Sequence, residues 1–509
     1  MNRKTSIQLM LASILFLSII SSCKKDSMTS TSVTPIQKDR TATSNIEFYG
    51  LTNSNSLIKY KANNVSTPMG TMNIVGLMPG ESIIAIDFRP ATGQLYGLGN
   101  NSRIYIINTN SGKATPVGTT SFSPAINGSM VGFDFNPTVD RIRLVTSSGQ
   151  NLRLHPETGA LVQVDGPINP GTPQVNAVAY TNSVAGASTT TLYDIADGKL
   201  YRQIPPNNGT LIEVGELGIS ATSESGFDIA PDNSIALAGL NNSTQTNICQ
   251  IDLNTGVATS IGIASSTLIG LAIPTAAVAY TVDLSNNLQI FNFQNVGVPI
   301  NKPITGLQVG ETILGIDMRP ATGQLFALGS SSRIYIINMS NGAAAAVNAM
   351  PFPKPLQGTS FGFDFNPTVD RIRVVSNSGQ NLRINPNDGS VTAADLPLNP
   401  GTPSITGAAY TNNFPGATST VLFDIDHVLN KLYKQIPPNN GTLVEVGNTI
   451  EDPTASTGFD IGGSSNQAYA IFTSSFGTKI YLINTSTGQA TKFANFPNPV
   501  VAFAVGLGF

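Results

Sequence analysis

The chain has 509 residues, 11% of them charged, and a formal net charge of −3. A typical soluble domain carries roughly 25% charged residues. No Lys/Arg cluster occurs beyond the first 25 residues, so a nucleic-acid-binding face is not expected. The 48 Gly and 32 Pro sit between short apolar runs, a mixture that favours many short strands joined by tight turns, and the length calls for several modules.

The N-terminus reads as an address. Arg3 and Lys4 precede an apolar run, Ile7–Ile20, that is short for a membrane-spanning helix. Ile20-Ser21-Ser22-Cys23 resembles a bacterial lipobox, which implies a signal peptide over 1–22 and lipidation of Cys23. Several acyl chains on one residue give stable membrane anchoring. Lys24-Lys25-Asp26 loosely resembles a surface-export tag, and the Ser/Thr-rich remainder of 23–45 reads as a flexible tether. The expected address is the bacterial cell envelope, with the lipid on Cys23 as the membrane partner. Cys249 is then a lone thiol, expected to be a small buried hydrophobe, and no disulfide or cysteine-based metal site is possible within the chain.

Short strands follow in series. "QLYGLG", "RIYIIN" and "KATPVG" fill Gln94–Gly118 with alternating strands separated by turns. Ahead of such series stands a strand of the type Gly/Ala-apolar-Asp-apolar-x-Pro, at Ala85–Pro90, Gly132–Pro137 and Gly226–Pro231. "NAVAYTN" and "IGLAIPT" fill the same slot without the aspartate. Units of four strands and about forty residues are the pattern of propeller blades.

The whole series is written twice. "AIDFRPATGQLYGLG" at Ala85–Gly99 returns as "GIDMRPATGQLFALG" at Gly315–Gly329, and "VGFDFNPTVDRIRLV" at Val131–Val145 returns as "FGFDFNPTVDRIRVV" at Phe361–Val375. The expected fold is an all-β propeller of about ten four-stranded blades, with one five-blade repeat over 46–275 and a second over 276–509. Each repeat opens on what look like the second to fourth strands of a blade and ends on an isolated first strand, "IGLAIP" or "AVGLGF". The four residues Pro274–Ala277 between repeats span at most about 14 Å, which suits a hairpin inside one blade. A single ring of ten blades is therefore expected in preference to two rings of five, although two rings stacked face to face satisfy the same linker.

"FRPATGQLYGLG", "GFDFNPTVDRIRLV", "GQNLRLHPETG" and "SGFDIAP" resemble an uncharacterised bacterial family, domain of unknown function 4394, over nearly all of 46–509. The resemblance implies an extracytoplasmic propeller-like module and carries no activity, cofactor or catalytic residue with it.

The duplicated stretch holds the candidate site. Alternation sets Asp134, Arg141, Arg143 and Arg153 on polar faces, with Asp364, Arg371, Arg373 and Arg383 in copy two; Asp87 with Arg89, and Asp317 with Arg319, are matched in the same way. Propeller sheets are covered on both faces, so these charges need partners, and an Asp–Arg ladder supplies them. A ligand-binding role for the same residues, toward an anionic group such as a carboxylated sugar, is the competing reading. Catalysis is not expected: His155 and His427 are not shared between copies, which argues against a duplicated triad or histidine metal site. Paired carboxylates, Asp87 with Asp134 and Asp317 with Asp364, leave a glycosidase-like alternative. No metal or cofactor is expected. The expected role is a binding or scaffolding module for an unidentified glycan or envelope protein, and the alternative is a hydrolase or lyase acting on a surface polymer.

Overall fold

The computed structural model describes residues 46–509 apart from 222, 243, 450–452 and 455–456. The expected signal segment, Cys23 and the tether lie outside the described residues. Among the described residues, no helix is long and apolar enough to cross a membrane.

Among the described residues, forty strands form ten four-stranded antiparallel sheets. In the first repeat we name them A (83–117), B (131–164), C (175–216), D (223–263) and E, which combines 270–272 with 47–73. In the second they are A′ (313–346), B′ (361–394), C′ (405–448), D′ (457–496) and E′, which combines 500–505 with 278–303. The inner strands, the first of each unit, are Ile83–Phe88, Val131–Asn136, Val175–Tyr180, Ser223–Ile229 and Gly270–Ala272, and then Ile313–Arg319, Phe361–Asn366, Ile405–Tyr410, Thr457–Ile461 and Val500–Val505.

Alternation decides what each sheet turns to its neighbour. Phe133, Phe135, Ile142 and Leu144 face sheet A and meet Tyr96, Leu98 and Ile104 there. Phe135 is wholly buried, and burial of such a side chain is worth about 1.5–3 kcal/mol. Ten apolar clusters of this kind fill the seams between consecutive sheets. One cluster joins Leu51 and Leu57 of sheet E to Ile83 and Phe88 of sheet A. Another joins Tyr280 and Val282 of sheet E′ to Ile316 and Met318 of sheet A′.

These closing seams correct the expectation of a single ten-sheet ring. Gly270–Ala272 pairs with Glu47–Leu51 of its own repeat, not with the strand that follows it, and Val500–Val505 pairs with Val278–Asp283. Each repeat closes on itself as a cycle of five sheets. The physical reason lies in the linker. Inner strand E ends, and the second strand of E′ begins, on the sides where the two rings meet. Four residues therefore suffice to step from one ring to the other.

The rings meet through turns that follow inner and third strands. Tyr280 donates its hydroxyl to the Ala91 carbonyl at 2.9 Å, the Gly508 N–H donates to Thr92 at 2.8 Å, and Lys113 Nζ donates to the Gly416 carbonyl at 2.9 Å. The Phe509 ring lies where a Cβ on Gly93 would stand, 2.3 Å away, and Gly93 has a positive φ of 72°. Glycine is needed there on both counts.

Candidate axial carboxylate site

The pattern Gly/Ala-apolar-Asp places a small residue and an aspartate on one face, two positions apart. A Cβ on Gly132 would come within 2.9 Å of the Val178 nitrogen, and one on Gly226 within 2.4 Å of the Leu271 nitrogen. Small residues thus let the inner strands crowd together, and the aspartates reach across the gap. Asp87 Oδ2 accepts the Phe135 N–H at 2.8 Å, Asp134 Oδ1 accepts the Tyr180 N–H at 3.2 Å, and Asp228 Oδ2 accepts the Ile273 N–H at 2.5 Å. In the second ring Asp317 Oδ2 takes the Phe365 N–H at 2.7 Å, Asp364 Oδ1 the Tyr410 N–H at 3.0 Å, and Asp460 Oδ2 the Val505 N–H at 2.6 Å. Each contact ties one inner strand to the next.

The same geometry gathers the carboxylates. Oxygens of Asp87, Asp134 and Asp228 lie within 4.8 Å of one another, as do those of Asp317, Asp364 and Asp460. All six side chains are buried. Burial, and after it the neighbouring acid, pushes the proton affinity of Asp87, Asp134, Asp317 and Asp364 well above the carboxylate range. Burial pushes Asp228 and Asp460 up to about 7, against the pull of their backbone hydrogen bonds. The structure thus brings Asp87 to Asp134 and Asp317 to Asp364 and adds Asp228 and Asp460. Asp228 stands in the same strand pattern at Gly226–Pro231, a signal present in the sequence, and Asp460 in its copy at Gly458–Gly463, where glycine replaces the closing proline.

The arginines are paired with acids other than those expected. Asp134 stands directly opposite Arg143, and Asp364 opposite Arg373, but neither makes an ion pair with it. Arg143 Nη1 donates to Asp165 at 2.7 Å and to Asn151 at 2.6 Å, while Nη2 reaches Asn207 at 2.7 Å across the seam in sheet C. Arg153 grips the same Asp165 with two bonds of 2.7 and 2.9 Å. Arg373 and Arg383 repeat this on Asp395. The expected Asp–Arg ladder is corrected to this extent: the guanidinium beside Asp134 is satisfied by an acid beyond the outer strand. Asp165 and Asp395, in "QVDGP" and "AADLP", follow no period that would have marked them.

Arg89 is wholly buried at the junction of the rings. Its Nε donates to Asp140 at 2.9 Å, Nη2 to Glu157 at 2.9 Å, and Nη1 to the Gly323 carbonyl of the second ring at 3.1 Å. Asp140 occupies a left-handed turn, with φ 51°, that a short polar side chain tolerates. The copy-two equivalents, Arg319 and Asp370, keep the pair in a more exposed setting. Arg141 and Arg371 donate to the carbonyls of Asp140 and Asp370 at 2.7 and 2.8 Å and serve the turns themselves. Burial, with the Arg141 and Arg89 charges after it, pushes His155 down to about 4. Cys249 is buried in a sheet seam.

Two further acids were not singled out in the sequence. Asp194 stands opposite Val178 on sheet C and Asp424 opposite Ala408 on sheet C′. Both are fully buried, and neither carboxylate has a hydrogen-bond partner on either oxygen.

A cleft of about 380 Å³ opens between the rings. Ile46, Pro231 and Ile273 line it from the first ring and Asn292 and Gln294 from the second. A neighbouring hollow of about 210 Å³ shares Val184, Ala276 and Asn292 and extends over Ile290 and Val298.

The family model described as Domain of unknown function (DUF4394) matches residues 56–272 and again 287–504. No curated protein matches the chain. Among solved structures, the Dos1 propeller is similar at 10% identity with a TM-score of 0.25, over 63% of this chain and 82% of that one. The extracellular domain of a hybrid two-component system from B. thetaiotaomicron is similar at 12% identity with a TM-score of 0.24, over 87% of this chain and 59% of that one.

Proposed function

The chain belongs to the DUF4394 family in both of its repeats, and from that premise we propose that it is a lipid-anchored binding or scaffolding module of the bacterial cell envelope. The observation that carries the binding reading is the cleft between the rings. Clefts at module boundaries, mostly apolar with a few convergent polar groups, are the common place for a ligand. Here Asn292 and Gln294 supply polar groups against Ile46, Pro231 and Ile273. The alternative, a hydrolase or lyase with channel carboxylates, is weakened by burial. Asp87, Asp134 and Asp228 are each at most 4% exposed and spend oxygens on backbone amides, so a polymer has no route to them.

The anchor is tested by Cys23→Ala, which should end incorporation of labelled palmitate and release the protein from the membrane fraction. Equal labelling of both forms would remove the lipoprotein reading. Binding is tested by thermal shift of the full chain in detergent against glycans, peptides and small carboxylic acids, because a ligand that binds only the folded state raises its melting temperature. A hit should be lost in Ala276→Arg, which fills the cleft at the linker. A hit that survives this change would place the ligand elsewhere.

A further inference from the structure

We propose that each ring holds a hard divalent cation at its axis, with calcium the best fit, bound by Asp87, Asp134 and Asp228 in the first ring and by Asp317, Asp364 and Asp460 in the second. The ligand atoms of each set lie within 4.8 Å of one another. That is the width of a calcium sphere, whose oxygens sit about 2.3–2.6 Å from the ion. The donors are all carboxylate oxygens, a set that favours calcium, magnesium or manganese over zinc or copper.

Three observations apart from the clustering point to a ligand. Asp364 is 1% exposed, and its Oδ2 has no hydrogen-bond partner, although Oδ1 is held by the Tyr410 N–H. Asp424, fully buried on the adjoining sheet, has two such oxygens, and its charge bears on Asp364. Asp194 repeats this orphaned carboxylate in the first ring. Buried acceptors without donors are costly, and a cation satisfies them where no N–H or O–H can. The third observation is space. On the axis of the second ring a cavity of about 20 Å³ is lined by Gly315, Gly362, Gly407 and Gly458 from four inner strands. That is room for one water or one ion. Three of these glycines stand two residues before Asp317, Asp364 and Asp460 on the same face of their strands, so the cavity lies one side-chain row from the carboxylates, which do not themselves line it.

Charge balance argues the same way. The cations that stand opposite Asp134 and Asp364, Arg143 and Arg373, are already engaged by Asp165 and Asp395. Three buried acids at each axis, with the Asp424 charge bearing on Asp364 in the second ring, need either protons or a cation to be neutral. A divalent ion neutralises two of them and draws on the unpartnered Oδ2 of Asp364, while the oxygens of Asp87, Asp228, Asp317 and Asp460, each already accepting a backbone N–H, would bind it through a second lone pair.

The test begins with the full chain purified without chelator, its metal content measured by mass spectrometry. Two calcium ions per chain are expected. After stripping with EDTA at mildly acid pH, added calcium should raise the melting temperature in a saturable way, and magnesium should do so less effectively. Asp134→Asn and Asp364→Asn keep the oxygen that accepts the backbone N–H; each should cut the stoichiometry from two to one. If either variant fails to fold, metal content and calcium titration of the wild-type protein still decide. A chain that carries no metal as purified, and whose melting temperature is unmoved by millimolar calcium, magnesium or manganese, would overturn the proposal and assign protons to the clusters.

Discussion

Arg143 illustrates how a single side chain is held between two sheets. It is 2% exposed, and its ion-pair partner Asp165 is 4% exposed at the side chain. Asp165 also holds Arg153, so one acid satisfies two guanidiniums. Removing one partner of a buried pair typically costs about 3–5 kcal/mol, because the other is left charged and dry. Asp165→Ala should therefore lower stability by about that amount in denaturant unfolding. A double-mutant cycle between Asp165 and Arg143 should give a coupling on the order of 1–3 kcal/mol. The cycle between Asp134 and Arg143, which are linked only through the shared partner Tyr180, should give a smaller coupling than that. A larger coupling for the second cycle would return Asp134 to the role of ion-pair partner. The duplicated chain also supplies its own control. Arg89–Asp140 is closed off by the second ring, with Arg89 wholly buried, while Asp370 is 33% exposed at the side chain in the matching pair. Asp140→Asn should consequently cost more than Asp370→Asn, and equal losses would contradict the bracing role of Arg89 between rings.

At the scale of strands and sheets, Asp424 and Asp194 raise a question of pH. Burial pushes Asp424 up to about 8 and Asp194 well above the carboxylate range, while the Arg373 and Arg143 charges pull in the opposite direction. A carboxyl whose folded pKa is raised binds more protons folded than unfolded, so stability falls as pH rises. Its contribution is complete below the ordinary value of 3.8 and is lost as pH passes through about 8. Asp424→Asn, neutral at every pH, should lessen the fall in melting temperature between pH 4 and pH 8, measured without divalent ions so that no metal binding adds to the slope; the other buried aspartates keep the remainder. A variant that keeps the full wild-type slope would show that Asp424 is not the group responsible. Strand alternation had made the sheets, their order and the buried face of Asp134 readable in the sequence, because the period of two is a local property. The partners were not readable for the same reason. Alternation says that Asp134 and Arg143 share a face, but the atoms that satisfy them come from across the seam, at Tyr180 and Asn207, or from Asp165 beyond an exposed outer strand. The axial gathering of Asp87, Asp134 and Asp228 depends on how closely the inner strands approach, which Gly132 and Gly226 permit and no spacing along the chain reveals.

For the whole molecule, linker length misled where strand pairing decides. Pro274–Ala277 is short enough for a hairpin, but Gly270–Ala272 returns to Glu47–Leu51, and Val500–Val505 to Val278–Asp283. A ring of five sheets that completes its own hydrogen bonding leaves no inner edge open to another chain. Residues 46–275 and 276–509, produced separately, should therefore each fold. A single ten-sheet ring predicts the opposite, since either half would then be an open arc with two bare faces. The halves should also be weaker than the whole. Separation exposes Arg89, which loses the Gly323 carbonyl, and strands Phe509, which loses its seat against Gly93. Each half should show a β-rich circular dichroism spectrum and a cooperative melt at a lower temperature than the full chain, and mixing the two should raise both melts. Aggregation of both halves, with no cooperative transition in either, would mean that the rings do not close independently and that the seam between them is part of the folding unit.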